Sequence, residues 1–173
     1  MTEPRAWAKS DLELKKEIHA ALRQHPPGEG AWWQGLGPGV PAAVLALYRE
    51  TTQARSQVKL VEVLGNYDDA EATRFLKDLV KSTRNGAVRQ AAIHSLARSQ
   101  KMREETFFAE QLQSTDPQTR LATAEALKGM RDARASQMVE DYVKRESVAW
   151  IVTRLTAPAP AKPKIRRASR INP

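Results

Sequence analysis

Asn85-Gly86-Ala87-Val88-Arg89-Gln90-Ala91-Ala92 is followed, 31 residues on, by Asp116-Pro117-Gln118-Thr119-Arg120-Leu121-Ala122-Thr123-Ala124, and this recurrence decides the fold. Each stretch opens on Asn or Asp, a residue type that caps helices, and runs through an arginine into alanines, as a helix start does. Working outward, Leu64, Leu96 and Leu127 fall into register at spacings of 32 and 31 residues. Three positions before them stand Val61, Ile93 and Ala124. Eleven and twelve positions after them stand Phe75-Leu76, Phe107-Phe108 and Met138-Val139, and sixteen after stand Val80, Leu112 and Val143. Apolar residues matching at five offsets in three copies mark a stack of supersecondary units rather than one continuous core.

Each copy reads as two helices joined by a tight turn. The first is Ala54 to Gly65 and Ala70 to Ser82, the second Gly86 to Arg98 and Arg103 to Gln113, and the third Pro117 to Met130 and Ala133 to Lys144. Asp116-Pro117 supplies an N-cap followed by the N1 proline, and Asn85-Gly86 has the same starting role. Gly65 and Gly129 lie at the ends of first helices, where a left-handed residue is expected to stop the chain.

The two quoted stretches resemble the HEAT-like repeats of bacterial helical-repeat proteins, the PBS-lyase type. The shared pattern is Asp or Asn, two spacers, a small or β-branched residue, Arg, then alanines and a leucine. The resemblance covers residues 42 to 146; the first copy departs from it, with Gln53 and Gln57 at the acidic and arginine positions. It implies an all-α, right-handed α-solenoid of three helical hairpins with their second helices lining a concave side. In such repeats the arginine commonly pairs with an Asp or Asn of a neighbouring repeat, so Arg89 and Arg120 with Asn85 and Asp116 are expected to form an inter-repeat ladder. The competing reading of the two arginines is a ligand contact, since a planar guanidinium suits both tasks.

Stacked hairpins need covers at both ends. Residues 1–24 are expected to form an N-terminal capping helix, in which Ser10 and Glu13 have capping-box spacing and Leu14, Ile18, Ala21 and Leu22 share a face. Pro41 to Thr52 suits a preceding half-repeat. Val148, Ile151 and Leu155 at helical spacing suit a closing helix, so the repeat domain spans 42–156. Between them, residues 25–41 carry five glycines and four prolines around Trp32-Trp33, a composition expected to break regular structure. The two tryptophans either cover the open end of the stack or stand exposed as partner anchors.

The chain has 173 residues, 28 Lys plus Arg, 20 Asp plus Glu, no cysteine and a formal net charge of +8. Without cysteine, a disulfide scaffold, a thiolate metal site and a cysteine nucleophile are excluded. No run approaches the ~20 apolar residues of a membrane-spanning helix, and the start of the chain lacks secretory order, so a cytoplasmic protein is expected. The charge is unevenly placed. Residues 157–173, a Pro/Ala-rich tail read as extended and disordered, hold Lys162, Lys164, Arg166, Arg167 and Arg170 with no acid, which leaves 23 basic and 20 acidic residues for the rest. The tail is either a solubilising end or a tethered basic motif for nucleic acid or another anionic surface.

Chemistry-bearing constellations are sparse. His19, His25 and His94 form no metal-spaced pair, and the glycines between 28 and 39 lack the Lys-Ser/Thr end and preceding strand of a phosphate loop. No catalytic residue, cofactor or metal is therefore predicted. A repeat-built DNA glycosylase, which would need a basic concave face, is disfavoured because the second helices carry mixed charge with an acidic middle, Glu104, Glu105 and Glu110. The reading that remains is a non-enzymatic adaptor or scaffold that binds a partner peptide or helix on the concave face. The expected contacts are Arg74, Lys77, Lys81, Glu105, Glu110, Gln137, Glu140 and Lys144, with Trp32 and Trp33. Two alternatives differ in class. One is an anion binder acting through the tail; the other is an enzyme-associated role of the kind such repeats play in bilin lyase subunits.

Overall fold

Small residues fix the centre of the molecule. In a computed structural model, which describes residues 9–23 and 30–157, the segment Gly86–Gln100 buries Val88, Ala91, Ala92, Ile93, Ser95, Leu96, Ala97 and Gln100. An ordinary surface helix buries one stripe, whereas this one is buried nearly all round because neighbours pack on three sides. Its alanines let backbones approach closely.

The described residues contain helices and no strand: α1 (Asp11–Arg23), α2 (Gly30–Gly35), α3 (Val40–Glu50), α4 (Ala54–Leu64), α5 (Ala70–Ser82), α6 (Gly86–Gln100), a 3₁₀ turn (Lys101–Glu104), α7 (Glu105–Gln111), α8 (Pro117–Lys128), α9 (Ala133–Arg145) and α10 (Ala149–Thr156). The first helices of the three copies touch in succession, α4 on α6 and α6 on α8, and α10 closes against α8. At the other end α3 packs on α4 and α1 covers α3. One apolar cluster runs unbroken from Leu14 and Ile18 through Leu64, Leu96 and Leu127 to Ile151 and Leu155. The anchor leucines 64, 96 and 127 are all at most 1 % exposed, which explains why they set the repeat register.

Helix starts follow the capping residues. Ser10 and Glu13 bond reciprocally, Ser10 N–H to Glu13 Oε2 at 2.9 Å and Glu13 N–H to Ser10 Oγ at 3.3 Å. Asp69, Asn85, Asp116 and Asp132 each accept first-turn amide hydrogens of the helix they precede. These caps satisfy donors that a helix cannot satisfy internally.

Four expectations need correction. Residues 25–41 are not uniformly irregular where described: Gly30–Gly35 is a helix. Six residues do not hold a helix alone; tertiary bonds hold this one, with Tyr67 Oη donating to Trp33 O and Gln34 Nε2 to Asn66 O. Gly65 and Gly129 have φ of −64° and −73°, so neither is left-handed. The glycine at 65 instead makes room for Arg98, whose Nη2 lies 2.5 Å from where a Cβ would stand. The second helix of the middle copy begins as a 3₁₀ turn at Lys101, after α6 has run on to Gln100, because a backbone reversal at Lys101, φ 52° and ψ −137°, ends α6 there. Asn85 caps α6 and accepts from no arginine; the arginine position of the preceding copy is Gln57, which donates to Thr51 O at 2.8 Å.

Candidate partner-binding face

The second helices bury one face and leave the other to solvent. α5 buries Ala72, Leu76, Leu79 and Val80, and α9 buries Ala135, Val139 and Tyr142. Arg74, Lys81, Glu105, Glu110, Gln137, Glu140 and Lys144 are exposed and Lys77 is half-buried. These eight residues lie on α5, α7 and α9, and ion pairs link those segments. Lys77 Nζ bonds Glu104 Oε2 at 2.9 Å between α5 and the 3₁₀ turn, and Arg134 Nη1 meets Glu105 Oε2 at 3.4 Å between α9 and α7. Lys77 and Lys81 also place their ammonium groups 5.8 and 5.9 Å from the Phe107 ring centre, within cation–π reach. Lys144 pairs within its own helix, with Asp141 at 3.1 Å.

A cleft of about 480 Å³ opens between α7 and α9. Ala109, Leu112, Met138 and Tyr142 line it together with the polar Gln113, Ser114 and Ser147 and the charged Asp141, Arg145, Arg120 and Glu146. The sequence reading missed it, because Leu112 and Met138 register as core positions of separate copies and only their packing leaves a gap between them. A second cleft, about 470 Å³, lies beside α5 and is lined by Asp68, Thr73, Arg74, Lys77, Gln100 and Glu104.

The two arginines of the quoted stretches form rungs between copies. Arg89 Nη1 donates to Asp116 Oδ2 at 2.6 Å and its Nη2 to Thr83 O at 2.6 Å. Arg120 reaches past its own copy to Glu146, Nε to Oε2 at 2.8 Å and Nη2 to Oε1 at 3.0 Å, and its Nη1 donates to Ser114 O at 2.8 Å. Glu146 also accepts from Tyr142 Oη and from Val148 N–H. The Arg120 guanidinium, Tyr142 hydroxyl and Val148 amide together hold the Glu146 carboxyl down to about 2 despite its burial. Burial, then the adjoining carboxylate, pushes Tyr142 up to about 12. Burial raises the Asp116 carboxyl, but hydrogen bonds from Thr119 and Gln118 and the positive charge of Arg89 outweigh it and leave a net lowering.

The tryptophans divide. Trp33 is 2 % exposed and lies in the core, whereas Trp32 is 45 % exposed, edge-on to Trp33 at 4.9 Å. One ring packs and the other is presented. His94 is half-buried and its imidazole is held below the ordinary value, chiefly by burial. Among the described residues no three His, Asp or Glu side chains converge as metal ligands, and no helix is long and apolar enough to cross a membrane. His25, residues 1–8 and the tail cations Lys162, Lys164, Arg166, Arg167 and Arg170 lie outside the described residues. Comparison with protein-family models, with curated proteins and with solved structures gives no match to this chain.

Proposed function

We propose that the chain is a non-enzymatic scaffold, a right-handed α-solenoid that docks a partner peptide or helix on the face formed by α5, α7 and α9. The observation that carries this reading is the α7–α9 cleft, whose lining combines the apolar Ala109, Leu112 and Met138 with the charged Asp141, Arg145, Arg120 and Glu146. That combination suits a peptide: apolar groups accept side chains and polar groups fix register. The Lys77–Glu104 and Arg134–Glu105 pairs link neighbouring helices of this face. Glu110, Gln137, Glu140 and Lys144 are exposed on the two helices that wall the cleft, and Arg74 and Lys81 extend the face along α5. Exposed Trp32 is a further anchor at the α2 end.

Affinity capture from the native lysate, comparing wild type with a charge-swapped Asp141→Lys/Arg145→Glu variant at the cleft and with a chain ending at residue 156, tests this. A discrete protein captured by wild type and by the truncated chain but lost from the charge-swapped variant is expected. Retention by the charge-swapped variant, or loss on truncation alone, contradicts it and favours the basic tail.

A further inference from the structure

We infer that the cleft between α1 and the start of α4 binds the phosphate backbone of nucleic acid. This inference is independent of the peptide-binding reading, since it concerns other helices. The cleft is about 910 Å³ and is lined by Lys16 and Arg23 of α1, by Arg55 and Lys59 of α4, by Thr51, Thr52 and Ser56, and by His19. Four cations thus face a single acid, Glu50, and Glu50 already bonds Lys15 Nζ at 3.1 Å. Among the described residues, neither Lys16 nor Arg55 nor Arg23 forms an ion pair. Lys59 donates to Leu22 O at 2.6 Å, which ties α4 to the end of α1 and sets the separation of the two basic walls.

Charge complementarity calls for an anion, and the lining selects its kind. No Phe, Tyr or Trp lines the cleft, and its single aromatic ring is the His19 imidazole, so contact falls chiefly to the backbone. Its apolar side chains, Leu22 and Leu60, are buried, so nothing is presented for insertion into a lipid layer. The cations are spread over two helices, which suits regularly repeated phosphates better than one carboxylate. Hydroxyls of the type offered by Thr52 and Ser56 are common phosphate partners. α4 starts at this cleft without a side-chain cap at Gln53, which leaves first-turn amides open to an anion, but the four cations carry the site. The chain as a whole has a net charge of +8 and a run of five cations without an acid between 162 and 170, which a polyanion would also engage.

The test is fluorescence anisotropy of full-length protein on a labelled DNA duplex of mixed sequence, titrated at several salt concentrations. Lys16→Gln/Arg55→Gln is compared with wild type, both with the native tail and with its five cations changed to Gln. The cleft variant is expected to bind at least tenfold more weakly in both backgrounds, and its log–log salt slope to be shallower by about 2, one unit for each phosphate contact removed. Its thermal midpoint is expected to match wild type, because neither residue pairs with another element. Equal affinity of variant and wild type overturns the inference. So does an effect that vanishes in the tail-substituted background, or wild type binding phosphatidylserine vesicles but no duplex.

Discussion

Arg120 and Glu146, 26 residues apart in sequence, form a two-pronged ion pair at 2.8 and 3.0 Å, with the Glu146 side chain 2 % exposed. The pair joins α8 to the turn that leads into α10, so the closing helix is fastened by the same kind of arginine that links α6 to α8 through Arg89 and Asp116. Removing one partner leaves a charge with no counterpart. Glu146→Gln or Arg120→Ala is expected to lower unfolding free energy by roughly 3 kcal/mol, and the double variant by clearly less than the sum. Chemical denaturation of the four proteins measures this.

Acid should weaken the fold in two pH windows. Glu146 is depressed from 4.5 to about 2 in the folded state, so the unfolded chain binds the extra proton and stability is lost as pH falls from about 4.5 toward about 2. His94 is also depressed, from 6.5, by burial. The folded state therefore resists its protonation, and stability declines as pH falls through 6.5. Midpoints measured from pH 8 to pH 3 should fall in both windows, and His94→Gln should flatten the upper one alone.

Arg98 donates from Nε to Gly65 O at 3.1 Å and from Nη2 to Glu62 O, satisfying carbonyls at the end of α4. A Cβ at position 65 would meet its guanidinium carbon and two of its nitrogens at 2.5 to 2.9 Å. Gly65→Ala should push Arg98 out and destabilise by about 1 kcal/mol through the lost bonds. In an Arg98→Ala background the same substitution should be nearly neutral, which a double-mutant cycle reads directly.

Lys101 ends α6 at φ 52° and ψ −137°, a region that side chains with a Cβ avoid and glycine enters freely. Lys101→Gly is expected to stabilise by about 1 kcal/mol, visible as a higher thermal midpoint with unchanged helical circular dichroism.

The helical pairs were legible because burial of α6 on three sides leaves its imprint as alanines and leucines at a fixed period. Capping was legible for a similar reason: Ser10, Asn85 and Asp116 act on amides two or three residues away, inside one window of sequence. What escaped depends on distant partners. The Trp32-Trp33 helix stands on Tyr67 and Asn66, more than thirty residues on. Glu146 sits in the charged run Lys144-Arg145-Glu146, one place short of where a fourth copy would set its acidic cap, and reads there as solvated surface. The one available signal was its near-match to the 31-residue register from Asp116. The basic cleft was equally hidden, because Lys16, Arg23, Arg55 and Lys59 come from two helices separated by α2 and α3. The gap between α7 and α9 was hidden as well, because Leu112 and Met138 come from different copies.

Photo-crosslinking most directly tests whether α5, α7 and α9 form the docking face. A photoreactive amino acid replaces Gln137 on α9 or, as a matched control, exposed Gln90 on α6, in full-length protein inside the native cell. A discrete protein adduct from position 137, absent at position 90, is the predicted result. Adducts from position 90 alone, or the same adducts from both positions, would contradict the account.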